Sequence, residues 1–197
     1  IENGDTVLDT RHADDFAASH AKGTINIPRN KSFLNWSGTI LPYDKDIFVI
    51  GDASEEGRHQ LAHDLSLIGI ERIAGVFPES SIEELRAANI PIEPTSKSTI
   101  AEVRSNTAAT IVDVRAAGEF AAGHIPRAIN IPLAQLASRL YEIPEGQTIV
   151  HCQGGSRSAI AASILLKSGR DDVSNMSGGF GEWERSGNQV ERNNGRS

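Results

Sequence analysis

The sequence predicts an α/β protein of two domains, each a parallel sheet flanked by helices on both faces. Three observations lead there: a segment that occurs twice, an alternation of strand-like and helix-like runs in each copy, and a length of 197 residues, which suits two domains of about 100. LDTRHADDFAASHAKGTINIP (residues 8–28) aligns without gaps on VDVRAAGEFAAGHIPRAINIP (residues 112–132). Asp9 falls over Asp113, Arg11 over Arg115, Phe16 over Phe120, His20 over His124 and Asn26 over Asn130. Identity at polar positions goes beyond shared hydrophobic periodicity. Further on, residues 47–52 (IFVIGD) align on residues 147–152 (QTIVHC). That alignment places Asp52 over Cys152 and gives the first copy four more residues in between, within KSFLNWSGTILPYD.

The elements follow in order. In the first copy TVLD and DKDIFVI read as strands and GRHQLAHDLSLIG as a helix. In the second, TIVDV is a strand, AAGEFAA a helix, LAQLASRL a helix, TIVHC a strand, SRSAIAASILLKSG a helix, DVSNM a strand and GEWERSG a last helical turn. Strands alternating with helices imply a parallel sheet covered on both sides. Lys167 and Gly169 end the long helix with a late cation and a C-terminal glycine. PIEPTSK, residues 91–97, reads as a linker from its prolines and small polar residues, giving domains at 1–93 and 98–190. The terminal ERNNGRS has nothing to bury and is expected to fray.

Composition narrows the function. With 39% hydrophobic and 23% charged residues the chain has enough apolar side chains for packed cores. A net charge of −7, with no basic run, argues against a nucleic-acid partner. No apolar run approaches the roughly 20 residues of a membrane helix, so no membrane association is expected. A single cysteine forms no internal disulfide and no signal segment opens the sequence, which points to a reducing cytoplasm. Strand begins by Thr6, which suggests a piece of a longer protein.

Cys152 ends an apolar strand and is followed by QGGSRS and a helix. Strand, glycine-bearing loop and helix make an anion cradle, with successive backbone N–H groups pointing inward and the helix N-terminus adding partial positive charge. A thiol at the mouth of such a cradle loses its proton readily, because thiolates are favoured at helix N-termini and beside arginine. Arg157 supplies that cation. This chemistry requires a sulfur reachable from solvent and peptide amides turned toward it.

Residues 98–190 resemble the rhodanese family over their whole length. DVRAAGEFAAGHIPRAINIP is similar to the family's first signature, HCQGGSRS to its active loop and MSGGFGEWERSG to its closing segment, in the right order. The resemblance implies sulfur transfer through a cysteine persulfide. Cys152 is then the nucleophile and Arg157 its catalytic partner, with Gln153, Gly154, Gly155 and Ser156 the loop. It implies a small-molecule donor, thiosulfate or a low-molecular-weight persulfide, and a thiol or cyanide acceptor, with no metal and no organic cofactor. Ser156 and Ser158 either donate to the persulfide or cap the helix, and Arg115 either braces Asp113 or reaches the donor. The first copy also resembles a rhodanese, but its DASEEGR loop lacks the thiol and carries Glu55 and Glu56, so it reads as non-catalytic. The pairing of the two copies with LNWSGTILPYD is similar to the C-terminal module of fusion proteins whose front half is a metallo-β-lactamase-type persulfide dioxygenase, which would carry the iron.

Other features weigh less. His59 and His63 share a helix face without a third ligand, so a solvated surface is favoured over a metal site. His20, His124, Asp9 and Asp113 recur in both copies, which favours structural roles. His151 faces the opposite side of the strand from Cys152 and is a poor base for it; Phe180 and Trp183 read as core. One rival function is a cysteine phosphatase or arsenate reductase, though only four residues separate Cys152 from Arg157 where those enzymes have five. The other is a non-enzymatic sulfur-sensing or scaffolding module.

Overall fold

The computed structural model describes residue 1 and residues 4–193. It divides into two compact units, with the boundary between Pro94 and Thr95. The first runs β1 (Thr6–Asp9), α1 (Ala13–Ala18), β2 (His20–Ala21), β3 (Ile25–Asn26), α2 (Phe33–Ile40), β4 (Ile47–Gly51), α3 (Glu55–Ser66), β5 (Ile73–Pro78), α4 (Ser81–Ala87) and β6 (Ile92–Glu93). Its main sheet has the order β3-β1-β4-β5, all parallel, and β2 pairs antiparallel with β6. All four residues of β1 are buried, as expected of a central strand covered on both faces. The helix α3 starts where Ser54 accepts the Gly57 N–H at 3.0 Å and Glu55 and Glu56 occupy the first turn.

The second unit runs β7 (Ser96–Ser98), α5 (Ile100–Ser105), β8 (Thr110–Asp113), α6 (Ala117–Ala122), β9 (Ile129–Asn130), 3₁₀ turns at Leu133–Ser138 and Leu140–Glu142, β10 (Thr148–His151), α7 (Ser156–Lys167), β11 (Val173–Met176) and α8 (Gly179–Arg185). Its parallel sheet has the order β7-β11-β10-β8-β9, so the first unit's order is repeated with one more strand, β7, beside β11. A capping box between Thr99 and Glu102 starts α5. On one face Ile111, Ile149 and Met176 pack with Val103 of α5 and with Phe180 and Trp183 of α8. Their strand neighbours Val112 and Val150 alternate to the other face, where α7 lies against β10 and β11. Each fully buried aliphatic side chain contributes about 1.5–3 kcal/mol, so these two layers fix the strand end that carries Cys152.

Four expectations change. LAQLASRL forms 3₁₀ turns instead of a helix. PIEPTSK holds the boundary between the units but is paired at both ends, because β6 joins the first unit and β7 the second. The C-terminal segment is held as far as Asn193: His124 and Glu191 exchange backbone hydrogen bonds at 2.8 and 2.9 Å, and Asn193 N–H donates to Ala121 at 3.0 Å. Residues 194–197 of ERNNGRS lie outside the described residues.

The fourth change is one of register. β1 pairs Asp9 with Ile50, while β8 pairs Asp113 with His151. Ile50 therefore corresponds to His151, and the residue at the Cys152 position is Gly51. Thr10 N–H donating to Ile50 O, and Val114 N–H to His151 O, both at 2.9 Å, fix the same correspondence. The ungapped alignment was one residue out, because a run of apolar strand residues matches nearly as well when slid by one.

Candidate active site

The strand β10 delivers Cys152 to the sheet's C-terminal edge, where parallel α/β sheets place their sites. The chain then turns through Gln153 and Gly154 to Gly155, the N-cap of α7, whose φ of 102° is left-handed and suited to glycine. This turn brings Gly155 N–H to 3.2 Å from Cys152 Sγ. Ser158, one turn into α7, places its Oγ 3.5 Å from the same sulfur and 3.1 Å from Gly155 O, and its one hydroxyl proton can be given to either. Ser158 thus faces both the thiol and the loop. Ser156 is exposed at the first position of α7.

The loop is held from behind by α8. Phe180 N–H donates to Cys152 O at 2.7 Å and Gly181 N–H to Gln153 O at 3.0 Å, so the loop's first two carbonyls are drawn away from the sulfur. Gly179 makes the approach possible. Its φ is +60°, and a β-carbon there would stand 2.5 Å from Cys152 O and 2.7 Å from Gln153 O. The sequence motif GGF flagged core aromatics, whereas its glycine and backbone amides are what shape the loop.

Beneath the loop Arg115 is 2% exposed. Its guanidinium binds both oxygens of Asp113, donates to Gly123 O at 2.7 Å and to Gln153 Oε1 at 3.2 Å, and lies 3.9 Å from the Phe180 ring centre. With these partners it braces the Gln153 side chain from below. His124 stacks on Phe120 at 3.8 Å and its Nδ1 meets Phe120 O, as His20 does with Phe16.

His151 is fully buried, its Nε2 3.6 Å from Asp113 Oδ2. Burial pushes the imidazole below the ordinary histidine range, opposed by the Asp113 charge and the Cys152 carbonyl. The unfolded chain therefore binds this proton more readily than the fold, and stability falls as pH drops from the unfolded value of about 6.5 toward the lower folded one. Denaturant titrations at pH 7 and pH 5 should show His151→Asn reducing that fall by on the order of 1 kcal/mol. An identical pH slope in both proteins would assign the sensitivity to other groups.

Arg157 does not stand alone at the end of the loop. Its two terminal nitrogens meet Glu119 of α6 at 2.7 and 2.9 Å. Hydrogen bonding to Arg157 holds the Glu119 carboxyl below its ordinary range, and Glu119 in turn raises Arg157 further. Arg157 also interacts with the Cys152 thiol. Sequence reasoning missed Glu119, although its place in the AAGEFAA helix start was visible.

The expectation of a thiol at the cradle's mouth is corrected: Cys152 is 1% exposed. The sulfur sits on the floor of the loop because the turn that brings Gly155 N–H to it also folds the chain over it. The cover is thin, since Gln153, Gly154 and Ser156 are exposed. Among the described residues no heavy atom beyond their chain neighbours lies within 4 Å of a β-carbon built on Gly154 or Gly155.

The equivalent loop of the first unit differs in three ways. Gly51 holds the thiol position, and a β-carbon there would run into Thr10 Oγ1. Asp52, in the register of Gln153, accepts Ser54 N–H at 3.0 Å, and its carboxylate lies where any side chain on Gly57 would go. Glu56 takes the register of Arg157. Elsewhere His63 Nδ1 faces Asp64 Oδ1 at 3.8 Å, and among the described residues no three His, Cys, Asp or Glu side chains converge as a metal site would need. No helix among the described residues is long and apolar enough to cross a membrane.

One comparison with known families falls on the second unit. The rhodanese-like domain family model matches residues 97–186. The protein YqhL of Bacillus subtilis is 43% identical over 76 residues, 38% of this chain and 60% of that protein. A sulfurtransferase of Allochromatium vinosum is 37% identical over 78 residues, 39% of this chain and 73% of the relative. The thiosulfate sulfurtransferase GlpE of Pseudoalteromonas translucida is 39% identical over 75 residues, 38% and 71% respectively. The chain therefore spans about 60% to 73% of the length of these relatives. With a parallel sheet ending in the Cys152–Arg157 loop, and relatives matched over most of their length, the chain belongs to the rhodanese-like family through its second unit.

Proposed function

We propose that the second unit is a sulfurtransferase in which Cys152 carries sulfane sulfur as a persulfide, and that the first is a non-catalytic copy of the same fold. The observation that carries this is the pair of donor groups at one sulfur, Gly155 N–H at 3.2 Å and Ser158 Oγ at 3.5 Å, with the Arg157 guanidinium five positions beyond Cys152. Such fixed donors stabilise negative charge on Sγ and on the terminal sulfur that follows it.

The Cys152 thiolate attacks the outer sulfur of a donor R–S–SH. The new S–S bond forms as the old one breaks, and R–S⁻ leaves with the bonding pair. The enzyme then holds Cys152–S–SH, whose proton goes to water. An acceptor thiolate, or cyanide, attacks the terminal sulfur and returns the bonding pair to Cys152 as thiolate. Arg115 and Phe180 position the loop and do not touch the donor. With Sγ on the loop floor, the reacting group is a narrow terminal sulfur passing beside Gly154 and Gly155, which fits a persulfide or thiosulfate better than a tetrahedral phosphate ester.

Intact mass tests the assignment. Incubation with glutathione persulfide should add one sulfur, about 32 Da, and cyanide should then remove it as thiocyanate. A generic aryl phosphate should not be hydrolysed. No mass gain would mean the sulfur is sealed. A gain that neither cyanide nor thiols discharge would favour a sensing module instead.

A further inference from the structure

The loop residues between Cys152 and Arg157 are uncharged, Arg115 is spent on Asp113, and burial keeps His151 toward its neutral form. The charged pair at the helix end of the loop is the Arg157 cation with the Glu119 anion, two-pronged at 2.7 and 2.9 Å, and the Arg185 cation near Gln153 is likewise paired, with Glu182. Both side chains are partly exposed, 25% and 38%, so the pair lies where a donor must pass. Glu119 is also fixed from its own helix, its Oε2 accepting Ala116 N–H at 3.1 Å.

From this geometry we infer that Glu119 sets the charge selectivity of the donor site, favouring persulfides of low charge over dianionic thiosulfate. This rests on sulfur transfer at Cys152 and names a positioning residue for it. A guanidinium fork committed to a carboxylate presents no unpaired cation to a second anion. A dianion must either displace Glu119 or approach a rim whose charges cancel, whereas a persulfide needs only the Gly155 and Ser158 donors around its terminal sulfur. The same acidic residue that holds Arg157 in place therefore withholds it from sulfonate oxygens.

The test is Glu119→Gln in the full chain. Glutamine still accepts the Ala116 N–H and suits the third position of a helix, so fold and cap survive while the charge goes. Removing one like charge near the path should raise kcat/KM for thiosulfate roughly tenfold, mainly through KM, and change the value for cysteamine persulfide, whose ammonium balances its persulfide anion, by less than about threefold. The variant's thiosulfate rate should also fall more steeply with added salt than the parent's. An unchanged ratio of the two donors, or an equal loss for both, would reduce Glu119 to a brace and overturn the inference. Absence of transfer from either donor in the parent chain would overturn the sulfurtransferase assignment as well, so the two failures are distinguishable.

Discussion

Cys152→Ser should leave a folded protein with sulfur transfer at the uncatalysed background, a loss on the order of 10⁴-fold or more for removal of a covalent nucleophile. Serine keeps an acceptor for the Gly155 N–H now 3.2 Å from Sγ and is smaller than cysteine, so the loop has no reason to open. What is lost is the atom that forms the S–S bond. An alkoxide is not accessible near neutral pH, and an oxygen–sulfur adduct would not pass sulfur on. Thiocyanate release with cyanide as acceptor, read beside the circular dichroism of both proteins, decides it. Residual turnover within tenfold of the parent would remove Cys152 from the chemistry.

Gly179→Ala should have the next largest effect, although residue 179 lies 27 positions beyond the cysteine. Its left-handed backbone alone costs a β-carbon roughly 1–3 kcal/mol. The new atom would also press on Cys152 O and Gln153 O from 2.5 and 2.7 Å. Relief requires α8 to retreat, which breaks the Phe180 and Gly181 hydrogen bonds that point the loop. Shifts of about 1 Å in a reacting group can cost 10²-fold in rate, so activity should fall about that far even where the protein stays folded. Gly118→Ala is the contrast, since it has open space around its β-carbon, and it should be neutral or slightly stabilising. Equal behaviour of the two variants in melting temperature and turnover would contradict the role given to Gly179.

Much of this was legible in the sequence because it is local. The strand, glycine turn and helix around Cys152 are coded within some twenty residues, and the repeat displayed the βα units by direct comparison. What was not legible depends on contacts between distant residues. Glu119 meets Arg157 across 38 positions, and Gly179 acts on carbonyls of another element. LAQLASRL has helical spacing, yet Leu133 and Leu136 are buried with 3₁₀ turns. The linker's place was legible, since the unit boundary falls within PIEPTSK, but not the pairing of its ends, because prolines and small polar residues also suit short edge strands such as β6 and β7. The depth of the thiol follows from Gly155 folding back by its left-handed turn, which glycine permits but does not require.

The first unit's loop carries one more consequence. Thr10 Oγ1 is tied to Ile50 O at 3.0 Å in the space a thiol's β-carbon would claim, Asp52 leans over Gly57, and Glu56 stands in for a guanidinium. A lone Gly51→Cys reversion would find its room taken and an acid where it needs a base's conjugate. The silence proposed for that half of the molecule is latched by neighbours that have closed ranks, so giving it a working thiol would take several coordinated substitutions.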